Sequence, residues 1–160
     1  MALSKLDNLY RAVILDHSSS PRHAGELTAG CMIDLNNPTC GDVIRLTVDF
    51  EGNRISDIAF SGHGCTISTA SASMMTEAVI GKTKAEALEL AQIFSEMVTG
   101  QENPAQEQLG DAQFLAGVSK FPARVKCSTL AWNALKKAIT EDNDKTAHVA
   151  DEASHDEAQK

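Results

Sequence analysis

The sequence predicts an α+β fold in which a small antiparallel sheet packs against several helices. Apolar and polar residues alternate over 43–60, with a Gly52-Asn53 turn near the middle, and this pattern is typical of a β-hairpin. Longer segments after the hairpin repeat their apolar residues at helical spacing. Because strands come before most of the helices, the helices should cover one face of an antiparallel sheet.

The N-terminal part supplies one helix and the strands. Leucines and other apolar residues at helical spacing predict a first helix over about 3–16. A turn-rich linker containing Pro21 and Gly25 ends this helix. Residues 31–36 are predicted as a short strand, and the hairpin at 43–60 adds two more.

Two helices are predicted directly after the hairpin. The first begins near Cys65 and ends at Gly81, where glycine suits a helix C-terminus. The second starts at a capping box formed by Thr83 and Glu86, carries a continuous apolar stripe, and ends at Gly100.

The C-terminal part is predicted to be less regular before one final helix. Residues 100–120 are polar and turn-like, with a short helical piece over 111–118. The last helix should begin at Pro122, because proline is favoured at a first helical position, and should end near residue 139.

Composition indicates one globular domain and disfavours two classes of partner. The chain has 160 residues, 42% of them hydrophobic and 22% charged, which fits one domain over 1–140. Residues 141–160 contain seven acidic residues and two lysines, hence −5 of the net charge of −8, and we predict a disordered acidic tail there. The negative charge disfavours nucleic acid and anionic membranes as partners.

The cysteines are the candidate chemical groups. No apolar run is long enough to span a bilayer and no secretory signal is evident, so we expect a cytoplasmic protein with reduced cysteines. Cys40 lies on a turn, Cys65 at a helix start and Cys127 in the last helix, with Asp42 beside the first. Three thiols and a carboxylate could form a zinc shell, but spacing without a CxxC motif fits ordinary free cysteines better. Cys31, at a strand entry, is predicted to be a structural thiol.

Three motifs carry a resemblance to a known family. The segments "NNPTCGD", "SGHGCTISTASASMM" and "SKFPARVKCSTLAW" closely resemble the cysteine motifs of the IscU-like iron–sulfur cluster assembly scaffolds. The resemblance extends over 3–139 and includes "LYRAVILDHSSSPRHAG". It implies a three-stranded antiparallel sheet packed against helices. It also implies that Cys40, Cys65 and Cys127 are metal and sulfur ligands, with Asp42 beside them.

Two departures from the family pattern indicate its SufU branch. Other scaffolds of the family carry histidine immediately before the third cysteine, where this chain has Lys126, and their segment before the third motif is shorter. Both features resemble SufU proteins, which are associated with bound zinc and with sulfur transfer.

The resemblance implies a zinc-dependent sulfurtransferase supplied by a pyridoxal-phosphate-dependent cysteine desulfurase. Cys40 is the predicted sulfur acceptor, Cys65 and Cys127 the predicted zinc anchors, and Asp42 the weaker fourth ligand. The family further implies that a desulfurase group replaces Cys40 on the metal, and that downstream iron–sulfur assembly proteins are partners. Arg124, three residues before Cys127, could support the transferred sulfur or pair with Asp42, although such an arginine is as often merely solvated.

Other interpretations stay open at this point. The same cysteines could carry iron or a transient 2Fe–2S cluster that is assembled and passed on. Alternatively, the zinc could be purely structural within an interaction module. His63 could be an additional ligand but is better explained as an exposed loop residue, and His17 and His23 are predicted to be structural or surface residues.

Overall fold

A computed structural model describes the backbone in four stretches. These stretches are 2–28, 30–37, 41–101 and 104–159. Within them, side chains are described from residue 11 to residue 142.

The sheet has three antiparallel strands, as predicted, and their order is β1-β2-β3. The strands are β1 (Cys31–Asn37), β2 (Asp42–Glu51) and β3 (Arg54–His63). A bulge opposite Asp49 and Phe50 leaves Ser56 as an extra residue on β3. Because of this bulge, Ile55 and Ile58 are both buried although they are three residues apart.

Among the described residues, four α-helices and one 3₁₀ segment accompany the sheet. They are α1 (Ala2–Ser19), α2 (Thr66–Val79), α3 (Lys84–Val98), the 3₁₀ segment (Pro104–Lys120) and α4 (Pro122–Gln159). The predicted capping box of α3 is present, with both hydrogen bonds between Thr83 and Glu86. Within the described residues, no helix is both long enough and apolar enough to cross a membrane.

The region before α4 is more regular than predicted. A helical piece was expected only over 111–118, whereas 3₁₀ geometry extends over Pro104–Lys120 with a break at Gly110, whose φ is +61°. The buried residues of this segment recur every third position, which matches the three residues per turn of a 3₁₀ helix. They are Leu109, Ala112, Leu115 and Val118.

Helix α4 also differs from the prediction at its C-terminal end. Helical backbone continues to Gln159, whereas the helix was expected to end near 139 and to be followed by a disordered tail. The extension contains alanine, glutamate and lysine but neither proline nor glycine, so nothing in its sequence stops the helix. Lys84 at the start of α3 also forms an ion pair with Asp142, just beyond the predicted domain boundary at 140. That boundary itself stays a prediction.

The core lies between the sheet and helices α2, α3 and α4. Trp132 of α4 stacks on Phe94 of α3, with ring centroids 4.6 Å apart. Its indole N–H donates to Ser71 Oγ at 3.2 Å, and Ser71 Oγ donates to the Ser128 carbonyl at 2.6 Å. The small residues at the start of α2 therefore allow α4 to approach closely.

Candidate metal centre

Three of the four predicted ligands converge at one end of the sheet. Asp42 is the first residue of β2, Cys65 is the N-cap of α2, and Cys127 lies in the second turn of α4. One ligand atom from each lies within 4.8 Å of the other two. Asp42 and Cys127 are each 3% exposed, while Cys65 is half-buried, so the cluster is reached from the Cys65 side.

The backbone of Cys65 fixes the carboxylate of Asp42. The Cys65 N–H donates to Asp42 Oδ1 at 3.0 Å, and Asp42 Oδ2 lies 3.7 Å from Cys65 Sγ. The Ser68 N–H donates to Cys65 Sγ at 3.4 Å, so the sulfur caps the first turn of α2. Electron-rich oxygen and sulfur atoms therefore gather at a helix N-terminus, whose partial positive charge favours negative ligands.

Cys40 lies outside the described residues, so its place in the cluster stays a prediction. The described residues on either side of it are paired. Asn37 and Asp42 pair as the last rung between β1 and β2, and the Gly41 N–H donates to the Asn37 carbonyl at 2.8 Å. In the sequence, Cys40 lies two positions before Asp42.

The arrangement fits a zinc ion. Tetrahedral zinc, with Zn–S bonds of about 2.3 Å, separates its ligand atoms by roughly 3.5–3.8 Å. The 3.7 Å between Asp42 Oδ2 and Cys65 Sγ falls in this range. Two thiols with one carboxylate are also a donor set that zinc accepts, and a third thiol from Cys40 would complete four ligands.

Arg124 and Lys126 do not join this cluster directly. Arg124 is exposed and lines a groove together with Cys65, and no ion pair between Arg124 and Asp42 is found among the described side chains. Lys126 is exposed, as expected for a residue adjacent to Cys127 on a helix. His63 is also exposed, at the end of β3. The role of Arg124 in supporting sulfur therefore stays a prediction.

The remaining predicted residues have structural environments. Cys31 is half-buried, with its Sγ 3.9 Å from the Ala138 carbonyl of α4. His23 Nδ1 lies 3.0 Å from Thr76 Oγ1. His17 is fully buried and belongs to a second polar cluster far from the cysteines in sequence.

Sequence reasoning missed one residue that shapes the cluster. Gly64 sits so close to Asp42 that an added Cβ would lie 2.8 Å from Asp42 Oδ1 and 2.9 Å from its Cγ. The glycine-rich segment "SGHGC" was the available signal, but it indicated only a turn.

Comparison with known proteins gives concordant results. The family model described as NifU-like N-terminal domain matches residues 9–128. The chain is 70% identical over 139 residues to a Streptococcus pyogenes protein named iron–sulfur cluster assembly scaffold protein IscU, covering 87% of each chain. It is 51% identical over 139 residues to the zinc-dependent sulfurtransferase SufU of Bacillus subtilis, covering 87% of this chain and 95% of that one.

A solved structure supports the fold. It is described as a candidate iron–sulfur cluster assembly scaffold protein for the SUF system from Fervidobacterium islandicum. Its sequence is 38% identical to that of this chain. The match covers 79% of this chain and 93% of the solved one, with a TM-score of 0.76. The α+β class with a three-stranded antiparallel sheet is thereby confirmed.

Proposed function

This chain belongs to the family of NifU-like N-terminal domains and is of the IscU/SufU type. We propose that it is a zinc-dependent sulfurtransferase of iron–sulfur cluster assembly, which accepts persulfide sulfur from a cysteine desulfurase. One observation carries the proposal. The Cys65 and Cys127 sulfurs converge with the carboxylate of Asp42, the residue two positions after Cys40 in the sequence.

The four predicted ligands come from different parts of the chain. Cys65 caps α2 and Cys127 is buried in α4, so both are fixed by helices. Cys40 lies in the connection between two paired strands, two residues from Asp42. Cys65, Cys127 and Asp42 would hold the zinc ion, with Cys40 as the ligand that can leave. Bound zinc would supply the positive charge that keeps the thiol ligands deprotonated.

The transfer step itself needs no external oxidant or reductant. The Cys40 thiolate attacks the outer sulfur of the persulfide on the donor cysteine. A sulfur–sulfur bond forms to Cys40, the sulfur–sulfur bond to the donor cysteine breaks, and the donor leaves as a thiolate. The persulfide on Cys40 would then serve downstream iron–sulfur assembly proteins. Arg124, exposed on the groove that Cys65 lines, is placed on the side from which a partner would reach the site.

A second candidate function is supported by the 70% identity to a protein named as an IscU scaffold. In this alternative, Cys40, Cys65 and Cys127, with Asp42, receive a 2Fe–2S cluster as cargo and pass it on. Thiolates suit such clusters as well as they suit zinc.

Metal analysis combined with a desulfurase turnover assay separates the two candidates. For a sulfurtransferase we expect about one zinc per chain and a rise in desulfurase turnover when the protein is added. Cys40→Ala should abolish the rise, whereas Cys31→Ala, at a half-buried thiol outside the cluster, should retain it. Bound iron with labile sulfide, and no effect on turnover, would instead establish the scaffold. A Cys40→Ser protein that still accepted sulfur would remove Cys40 from the acceptor role.

A further inference from the structure

A buried histidine links three elements on the side of α2 that faces α1. His17 of α1 is fully buried, and its Nδ1 lies 2.7 Å from Ser73 Oγ of α2. Its Nε2 lies 2.8 Å from Asp111 Oδ2 of the 3₁₀ segment and 3.7 Å from Glu77 Oε1. Ser73 Oγ also accepts the Arg22 N–H at 2.8 Å.

The partners fix the orientation of the His17 ring. A carboxylate only accepts, so His17 Nε2 carries a proton and donates it to Asp111. Nδ1 shares a hydrogen bond with the Ser73 hydroxyl, which also accepts the Arg22 N–H. Both ring nitrogens therefore have a polar partner, and the buried ring is held in one orientation.

The hydrogen bond between His17 and Asp111 attaches the 3₁₀ segment to α1. Asp111 directly follows Gly110, the residue at which the helical geometry is interrupted. The residues after Asp111 include Phe114, Val118 and Lys120, which line one wall of the groove that also contains Cys65. The direction of the backbone after Gly110 therefore determines the position of these three residues relative to Cys65.

The described lining of the groove is positively charged, opposite in sign to the net charge of the protein. The groove measures about 990 Å³, and its described lining includes Arg11, Lys120 and Arg124 but no acidic residue, although the chain carries a net charge of −8. Among the described residues none of these three cations takes part in an ion pair. Apolar side chains lie beside them, including Leu15 at 51% and Phe121 at 61% exposure. Such a surface is complementary to an acidic segment that also carries apolar side chains.

We propose that His17, Ser73 and Asp111 form a positioning unit that fastens the 3₁₀ segment beside Cys65 and so shapes a docking groove for an acidic segment of the sulfur donor. The identity of the donor rests on the proposed function, and the positioning unit rests on the hydrogen bonds above. The described polar contacts of His17 are with Ser73, Asp111 and Glu77, so it reaches the 3₁₀ segment through Asp111.

Asp111 is the position at which to test the unit. Its side chain is 49% exposed, so truncation there opens no core cavity, unlike truncation of His17 or Ser73. We expect Asp111→Ala to speed amide hydrogen exchange over 104–120 and to raise the dissociation constant of the protein–desulfurase complex about three- to tenfold. Asp111→Asn keeps an oxygen acceptor for His17 Nε2–H and should restore both values. Glu107→Ala, which removes an exposed acid from the same segment, should change neither.

The readouts separate positioning from a merely structural role. Calorimetric titration gives the dissociation constant without any turnover, and zinc content should be equal in all variants. The proposal is overturned if Asp111→Ala loosens the segment without weakening binding, if it lowers zinc content, or if Asp111→Asn fails to restore binding. A wild-type protein that binds the desulfurase but accepts no sulfur would refute the proposed function alone. Absence of any binding by the wild type would refute the docking role as well.

Discussion

At the scale of single residues, the approach of Asp42 to Cys65 depends on the absence of a side chain at Gly64. A Cβ there would lie 2.8 Å from Asp42 Oδ1, closer than real Cβ contacts allow, and Asp42 is 3% exposed. A methyl group at this position would therefore displace the carboxylate and break its hydrogen bond from the Cys65 N–H. Because that hydrogen bond orients a predicted ligand, its loss should weaken metal binding.

We predict that Gly64→Ala weakens zinc binding about 10- to 100-fold, the usual effect of disturbing the groups that orient metal ligands. Competition with a chelating dye measures the affinity. Gly117→Ala is the matched control, because nothing lies within 4 Å of a Cβ built at Gly117. Equal zinc affinities for Gly64→Ala and the wild type would show that Asp42 is not positioned in this way.

Residue identities at the cluster were more predictable than their contacts. Asp42, Cys65 and Cys127 could be selected because three short motifs resemble those of a known family, whereas the spacing of the cysteines alone favoured ordinary free thiols. The close approach of Gly64 to Asp42 and the contact of His17 with Asp111 could not be predicted. The two residues of the first pair are 22 positions apart in the sequence, those of the second are 94 apart, and only the folded chain brings them together. No period in the sequence encodes such an approach.

At the scale of elements, the capping box of α3 contributes a pH-dependent stability. Glu86 Oε1 accepts the Thr83 N–H at 3.0 Å, and the Glu86 N–H donates to Thr83 Oγ1 at 3.1 Å. The hydrogen bond from the Thr83 backbone, followed by the bond with its side chain, lowers the pKa of Glu86 below its usual value. A carboxyl with a lowered pKa in the folded state stabilises the protein above its unfolded pKa and loses that effect as the pH falls through the folded pKa.

We therefore expect Glu86→Gln to remove part of the acid sensitivity of the protein. The amide can still accept the Thr83 N–H, but it does not titrate. Urea unfolding should show a smaller loss of stability for Glu86→Gln than for the wild type as the pH falls below about 4.3, the ordinary pKa of glutamate. Glu89→Gln, at an exposed position on the same helix, should behave as the wild type does. Parallel pH profiles for Glu86→Gln and the wild type would contradict the expectation.

The elements differ in how far the sequence could predict them. The hairpin could be predicted because apolar residues alternate with polar ones along its strands, and α3 because its apolar residues repeat at helical spacing. Both elements occur as expected. The 3₁₀ segment was underestimated because its buried residues repeat every three positions, a period that a search for α-helices does not detect. The end of α4 was missed because composition indicates acidity there but does not forbid a helix.

At the scale of the whole molecule, the candidate metal centre lies where the sheet and two helices meet. Asp42 begins β2, Cys65 precedes α2 and Cys127 is held in α4, so the three groups come together only when the core has formed. The contacts of Ser71 with Trp132 and with the Ser128 carbonyl bring α2 and α4 together next to the cluster. An ion that binds the assembled site but not the unfolded chain must therefore stabilise the entire fold.

Zinc removal should accordingly lower the free energy of unfolding. Free zinc at about 100 times its dissociation constant should add about 2.7 kcal/mol relative to the metal-free protein, provided the unfolded chain does not bind it. Urea titrations at controlled free zinc measure this difference. Cys127→Ser should abolish most of the stabilisation by zinc, because a predicted thiolate ligand is lost. Cys31→Ser should retain the stabilisation, because that thiol lies near the Ala138 carbonyl and is not part of the cluster. Identical unfolding curves for the wild type with and without zinc would mean that the three converging groups do not hold the ion.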